Sequence, residues 1–230
     1  MLEPARIRAI TLDLDDTLWP IWPTIARAEK ALAAWLDAHA PMTSALFANP
    51  HARHDIRQQV VSSRPDLGHD LSAIRREAIR LALTRAGEDP GLADPAFEVF
   101  FAERQRVELF DDALPALTWL SARYPLVSLS NGNADLAKVG LASHFQCAIS
   151  AARCGFGKPD VRIFQAAASA VGVAPEQVLH VGDDASLDVL GALGAGMQAV
   201  WVNRSEHLWT HGLQPHDTVT RLNELCDLLA

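Results

Sequence analysis

The sequence is poor in cysteine: Cys147, Cys154 and Cys226 are its only three. They form neither a paired framework nor a close metal-ligand spacing, so a disulfide-stapled scaffold and a thiolate zinc site are both excluded. Free thiols in a reducing cytoplasm are the expectation. Long apolar runs are missing too. The longest, Val189–Val202, is interrupted by Gly191, Gly194 and Gly196 and falls short of the roughly 18 residues that a membrane span needs. Met1–Arg8 mixes charges with apolar residues, and no leader peptide is expected there. There are no internal repeats or low-complexity tracts. Positive charge is not in excess either: the formal net charge is −8, which argues against binding a nucleic-acid polymer. A single small anion remains open, because a local pocket can be cationic inside an acidic protein.

What is present suits a folded protein, with 49% hydrophobic and 21% charged residues. A chain of 230 residues holds one ordinary domain plus a modest insertion. Ile7–Leu12, Pro125–Leu129, Gln177–Val181 and Ala199–Val202 are short apolar runs, as strands buried on both faces of a parallel sheet are. Between them Ala113–Tyr124, Asp160–Gly172 and Ala185–Leu193 carry apolar residues at helical intervals. This alternation predicts an α/β fold with a doubly wound, mostly parallel sheet.

One interval departs from the rhythm. From Thr17 to about Phe110 only helical patterns appear. Thr24–Ala40 stripes one face and stops at Pro41. Asp70 is a good N-cap for a helix that ends near Gly87, and Asp94-Pro95 starts another, striped by Phe97, Phe100, Phe101 and Val107. The expected organisation is a core of 1–17 and 111–230, with an α-helical cap inserted over 18–110.

In open α/β sheets ligands bind outside the carboxyl ends of the strands. Asp13 and Asp15 follow the first run, Ser130-Asn131-Gly132-Asn133 the second, and Gly182-Asp183-Asp184 with Asp188 the run that ends at Val181. Gly155-Phe156-Gly157-Lys158-Pro159 lies between. Carboxylates a few ångströms apart repel by several kcal/mol at a protein surface, so such a rim must take up protons or a cation. Hard oxygen ligands favour Mg²⁺, and with Lys158 the ion makes a positive cradle for a phosphoryl group. Asp13 is suited to attack phosphorus and form an aspartyl-phosphate. Asp15 is suited to protonate the leaving oxygen and then deprotonate water. Ser130 and backbone N–H groups near Asn131 would hold the transferring oxygens, and Gly132 lets the backbone approach.

Asp13-Leu-Asp15-Asp16-Thr17, Ser130-Asn131-Gly132, Lys158-Pro159 and Gly182-Asp183-Asp184 with Asp188 resemble, in order, the four motifs of the haloacid dehalogenase-like (HAD) superfamily. The resemblance spans about Ile7 to Val202, with the helical insertion matching that family's type 1 cap. It implies that Asp13 is the nucleophile and that its carboxylate, the Asp15 carbonyl and Asp183 hold Mg²⁺. It further implies Asp15 as acid/base, Ser130 and Lys158 as phosphate ligands, and Asp188 as support for the metal or for Lys158. Asp184 also stays open as a metal ligand. His180-Val-Gly-Asp-Asp, Ser130-Asn-Gly-Asn-Ala134 and Gly196-Met-Gln-Ala-Val-Trp201 are similar to a bacterial subgroup of HAD phosphatases. That subgroup acts on flavin mononucleotide and on the phosphorylated ribitylamino-uracil precursor of riboflavin.

The expected activity is Mg²⁺-dependent hydrolysis of a small phosphorylated metabolite, by a monomer or homodimer. The alternatives are a phosphomutase, a 2-haloacid dehalogenase and a non-catalytic phosphometabolite-binding module. Dehalogenating members need no second aspartate two positions after the nucleophile, so Asp15 favours phosphatase. Trp19-Pro20-Ile21-Trp22-Pro23 stands where the subgroup tends to carry polar residues. Trp22 and Arg27 are candidate substrate contacts, against packing in the cap for Trp22 and a solvated face for Arg27. His180 reads as a satisfied core histidine, and His207 and His211 as a helical pair lacking a third metal ligand.

Overall fold

Ala9–Leu12 is buried at every position and forms β1, near the middle of a sheet. Around it lie β2 (Leu126–Ser130), β3 (Cys147–Ser150), β4 (Val178–Gly182), β5 (Gln198–Val202) and β6 (Asp217–Val219). In this computed structural model, which describes residues 1–230, the strand order is β3-β2-β1-β4-β5-β6. Every neighbouring pair is parallel. The order reverses between β1 and β4, where Leu12 is in register with Val181. That makes the carboxyl ends of these two strands the topological switch point, and Asp13 and Asp183 follow them directly. The expected α/β class with a doubly wound parallel sheet is what the chain forms.

Four strands fall where the apolar runs are, shifted by a residue or two at their ends. The outer two, β3 and β6, lie outside those runs. Of their residues only Val219 is buried and the rest are half-buried or exposed, so neither needs a continuous apolar run.

The chain divides into two units, Met1–Pro20 with Glu108–Ala230, and Ile21–Val107. The second unit is helical: α1 (Ile21–His39), α2 (Pro41–Phe47), α3 (Pro50–Ser63), α4 (Leu71–Ala86) and α5 (Ala93–Arg104). Its core joins Ala28, Leu32 and Leu36 of α1 to Ile79 and Leu83 of α4 and to Phe97 and Phe100 of α5. Arg75 and Arg76 stack over Phe100 and Phe97. Asp70 caps α4 by accepting from Ala73 N–H, and Gly87 closes it in the left-handed region. Two details differ from expectation. Pro41 ends α1 but also opens α2, since a proline at the first helical position loses no hydrogen bond. Asp94 lies inside α5 and pairs with Arg76 and Arg80, while α5 has no side-chain cap.

The first unit adds α6 (Ala113–Ser121), α7 (Leu136–Val139), α8 (Ala151–Cys154), α9 (Val161–Ala170), α10 (Gly191–Gly194) and α11 (Leu222–Leu228). Phe164 of α9 packs with Val127, Leu129, Val178 and Ala199 of the sheet. Residues Ala185–Leu190 form a π-helical segment, with Val189 N–H reaching back five residues to the Asp184 carbonyl. No helix is long and apolar enough to cross a membrane.

Candidate active site

Asp13 leaves β1 with its N–H on the Val181 carbonyl at 2.9 Å, which ties the start of the loop to β4. Its carboxylate is buried, and Lys158 Nζ lies 2.5 Å from Oδ1. The same ammonium lies 2.5 Å from Asp188 Oδ1, so one buried cation bridges two buried carboxylates. Asp13, Asp183 and Asp188 bring carboxylate oxygens within 4.8 Å of one another. At that separation two like charges repel by about 3–4 kcal/mol at an effective dielectric near 20.

The protonation equilibria reflect the crowding. Burial, then the nearby Asp188 and Asp183, push the Asp13 carboxyl well above the usual carboxylate range, against the pull of Lys158. Burial and Asp188 push Asp183 up to about 7. Burial also acts on Asp188, but Lys158 and His180 outweigh it and hold Asp188 well below the ordinary value. Lys158 is pulled down by burial and more than restored by Asp13 and Asp188. Asp188 is thus the settled anion and Lys158 the settled cation, and this one ammonium leaves the three-carboxylate cluster with more acid groups than cations.

Each group is held by a local device. Asn131 clamps the Lys158 backbone from both sides: its Oδ1 accepts from Lys158 N–H at 2.8 Å, and its Nδ2 donates to the Lys158 carbonyl at 2.9 Å. The Asn131 side chain is therefore engaged in fixing the lysine loop, and the phosphate contact expected at this position falls to the backbone N–H groups near it. Gly157 is required by the same clamp, since a Cβ there would come 2.6 Å from Asn131 Oδ1. Ser130 ends β2, buried, and its Oγ accepts from Gly132 N–H at 2.9 Å. Asp183 accepts from the Thr17 hydroxyl at 3.1 Å, and its carbonyl accepts from Trp201 Nε1 at 2.7 Å. Asp184 is exposed and caps the π-helical segment through Ser186 and Leu187 N–H. It stands outside the carboxylate cluster. The Asp15 carboxylate also lies outside it; Oδ1 accepts from Trp19 Nε1 at 2.8 Å.

The donor set fits a hard divalent cation. Oxygen ligands dominate, no thiolate is near, and His180, the adjacent imidazole, is already engaged. Three carboxylates against one ammonium supply the electrostatic demand.

A hydrolase family model, haloacid dehalogenase-like hydrolase, matches residues 7–196. This chain belongs to the haloacid dehalogenase-like hydrolase family. The 5-amino-6-(5-phospho-D-ribitylamino)uracil phosphatase YigB of Escherichia coli is 33% identical over 97% of each chain. A phosphoserine phosphatase of Thermus thermophilus is 41% identical over 62% of this chain and 57% of its own. Among solved structures, one titled 2-haloacid dehalogenase from Pseudomonas syringae pv. Tomato is 37% identical, with a TM-score of 0.93. The match covers 97% of this chain and 98% of that one.

Other side chains in this haloacid dehalogenase-like hydrolase support the site although the sequence assigns them no role in it. His180 is buried, as expected of a core histidine, but its partners are Thr11 Oγ1 at 2.7 Å and Asp188 Oδ1 at 3.0 Å. The signal was available: an imidazole inside an all-apolar strand must find polar partners, and this one stands three residues before Asp183. Thr17 and Trp19 lie within or beside the first motif and donate hydrogen bonds to the carboxylates of Asp183 and Asp15 respectively. Of the residues named for substrate contact, Trp22 is 74% exposed on α1. Arg27 donates to the Arg106 carbonyl and pairs with Glu103 in the helical unit. His207 and His211 lie in a non-helical stretch, so the predicted helical spacing does not arise. Asn203 and the Pro215 that follows flank that stretch, which forms a loop closed by Asn203 Oδ1 on His207 N–H.

Proposed function

We propose that the protein is a Mg²⁺-dependent phosphatase that hydrolyses a small phosphorylated metabolite through an aspartyl-phosphate on Asp13. One observation carries the reading: three carboxylates cluster within 4.8 Å of one another, with a single ammonium paired to two of them. Such a site calls for a cation, and a dianionic phosphoryl group is the substrate that a cation and a lysine together accommodate.

Asp13 and Asp183 would hold the ion, with the Asp15 carbonyl as a third donor from the chain. When bound, it would neutralise charge on the phosphoryl oxygens. Asp188 supports Lys158 in this reading, because both its oxygens are taken: Oδ1 by Lys158 and His180, and Oδ2 by Asp184 N–H. Asp13 attacks phosphorus, Lys158 and Ser130 bind the transferring oxygens, and Gly132 lets the backbone come near them. Asp15 gives the departing oxygen its proton and then takes one from the water that hydrolyses the intermediate. The helical unit, including Trp22, would select the substrate. The likeness to the Escherichia coli phosphatase supports a ribityl phosphate, of the kind in flavin mononucleotide or in that enzyme's named substrate. Three free cysteines suit a reducing, cytoplasmic setting.

A panel of phosphorylated metabolites assayed with Mg²⁺ tests this, with free phosphate as readout. The expected result is release from one class of ester, abolished by Asp13→Asn and by EDTA. Undiminished activity in Asp13→Asn would overturn it. A second reading, 2-haloacid dehalogenase, is favoured by the 37% identical structure so titled. A halide departs without a proton, so Asp15 would have no work in that reaction. Halide release from 2-haloacids, undiminished by EDTA and by Asp15→Asn, would establish it instead.

A further inference from the structure

Trp19 is fully buried, yet it is built onto the acid/base residue. Its indole N–H donates to Asp15 Oδ1 at 2.8 Å. The loop between them is closed a second time, by Asp16 N–H on the Trp19 carbonyl at 2.8 Å, and a third, by Leu18 N–H on the Leu14 carbonyl at 2.8 Å. Asp16 turns the chain with φ of 59°, a conformation that aspartate tolerates better than most residues. The flanks are fixed as well. Arg204 donates to the Thr17 carbonyl at 2.9 Å, and Phe110 N–H donates to the Leu18 carbonyl at 3.0 Å. The indole therefore cannot drift from Asp15 without opening several hydrogen bonds.

An indole N–H is a donor only. The carboxyl oxygen it touches must accept, and the carbonyl oxygen of a protonated carboxyl accepts better than its hydroxyl oxygen, so the indole favours Oδ2 as the oxygen that carries the acid proton. We propose that Trp19 is a positioning residue for Asp15, reserving Oδ2 as the oxygen that delivers and recovers the proton. The inference rests on the phosphatase reading. As the Asp13 oxygen bonds to phosphorus, the P–O bond to the leaving group breaks. The departing oxygen keeps that electron pair and takes the Oδ2 proton, leaving Asp15 as a carboxylate with Trp19 still on Oδ1. The attacking water later gives its proton to the same oxygen. A carboxyl oriented by this hydrogen bond presents its proton-bearing edge more often on each turnover, which is preorganisation of the kind that makes acid catalysis efficient.

The test uses leaving groups of different basicity, because only a poor leaving group needs the acid. kcat/KM is the proper quantity, since it covers steps up to departure of the alcohol. In Trp19→Phe, kcat/KM for an alkyl phosphate should fall about 10- to 100-fold, part of the roughly 10²- to 10⁴-fold that general acid catalysis supplies, because Asp15 itself remains. For 4-nitrophenyl phosphate, whose leaving group departs with little help, the fall should be no more than about 3-fold on the same argument. A second variant protects the test from a packing defect: benzothienylalanine at position 19 keeps the shape of indole and replaces N–H by sulfur. It should give the same selective loss. In Asp15→Asn, adding Trp19→Phe should cost nothing further for the alkyl ester. Equal losses for both esters in the two position-19 variants, or no loss, would overturn the inference. A wild-type enzyme that hydrolyses neither ester would instead overturn the phosphatase reading, and the inference with it.

Discussion

His180 Nε2 lies 3.0 Å from Asp188 Oδ1, the oxygen that also receives the Lys158 ammonium. Asp188 is held ionised and accepts only, so Nε2 must carry the ring proton and Nδ1 must accept from the Thr11 hydroxyl. Burial keeps the imidazole below its ordinary pKa, consistent with this neutral tautomer. His180→Leu removes a donor from a buried anion and should cost about 1.5–3 kcal/mol. His180→Gln, whose amide nitrogen can donate from nearly the same place, should recover most of that loss and most of the activity. Urea unfolding and kcat measured on both variants check this. Equal behaviour of the two would show that only the volume of the ring counts.

Gly182 meets Asp188 from the other side. A Cβ at this position would stand 2.3 Å from Asp188 Cγ, closer than any non-bonded contact allows. In Gly182→Ala the carboxylate must move, and Lys158 loses one of its two anchors. The expected penalty is about 1–3 kcal/mol of stability from overpacking, with a larger loss in kcat than a surface alanine would cause. Gly194→Ala is the matched control, because a Cβ there meets Val161 at 3.6 Å, an ordinary contact.

These contacts mark the limit of what the residues reveal in order. β1, β2, β4 and β5 are legible because buried parallel strands need apolar residues on both faces. β3 and β6 are not, because an edge strand such as Asp217-Thr-Val219 needs burial on few positions. Helix α3 hides for a similar reason, with only Ile56 and Val60 buried. In the site, Asp13, Ser130, Lys158 and Asp183 stand out because each ends a strand or a glycine-flanked loop. Asn131, His180 and Trp19 act through Lys158, Asp188 and Asp15. Their importance is in pairings across long sequence separations or within a folded turn, and no local pattern encodes those.

Asp183 gives the site a pH signature. Its folded value of about 7 lies above the ordinary 3.8. A raised carboxylate pKa contributes stability that is complete below the ordinary value and is lost as pH rises through the folded one. The metal-free protein should therefore weaken between about pH 4 and 7, by on the order of 2 kcal/mol after solvent screening. His180 acts oppositely, since a depressed imidazole costs stability on acidification, but that contribution is common to the metal-free and metal-loaded protein. The melting temperature with Mg²⁺ minus that with EDTA should then widen from pH 5 to pH 8. A constant or shrinking gap would mean that the carboxylates are not the groups that receive the ion.

Lys158 and Asp13 form a buried pair, yet their removal should move stability in opposite directions. Lys158→Met leaves Asp13, Asp183 and Asp188 facing one another without an ammonium. Breaking a buried pair from the cationic side costs about 3–5 kcal/mol, and lowering the pH should return part of it by protonating Asp13. Asp13→Asn removes a charge that burial and two neighbouring carboxylates already disfavour. Without metal at neutral pH it should be no less stable than the wild type. Both variants should be inactive, so activity alone cannot separate them. Urea unfolding in EDTA does: Lys158→Met must shift the midpoint well down while Asp13→Asn holds it or raises it. If both fall alike, the site is a balanced ion pair and not an anionic cluster waiting for a cation.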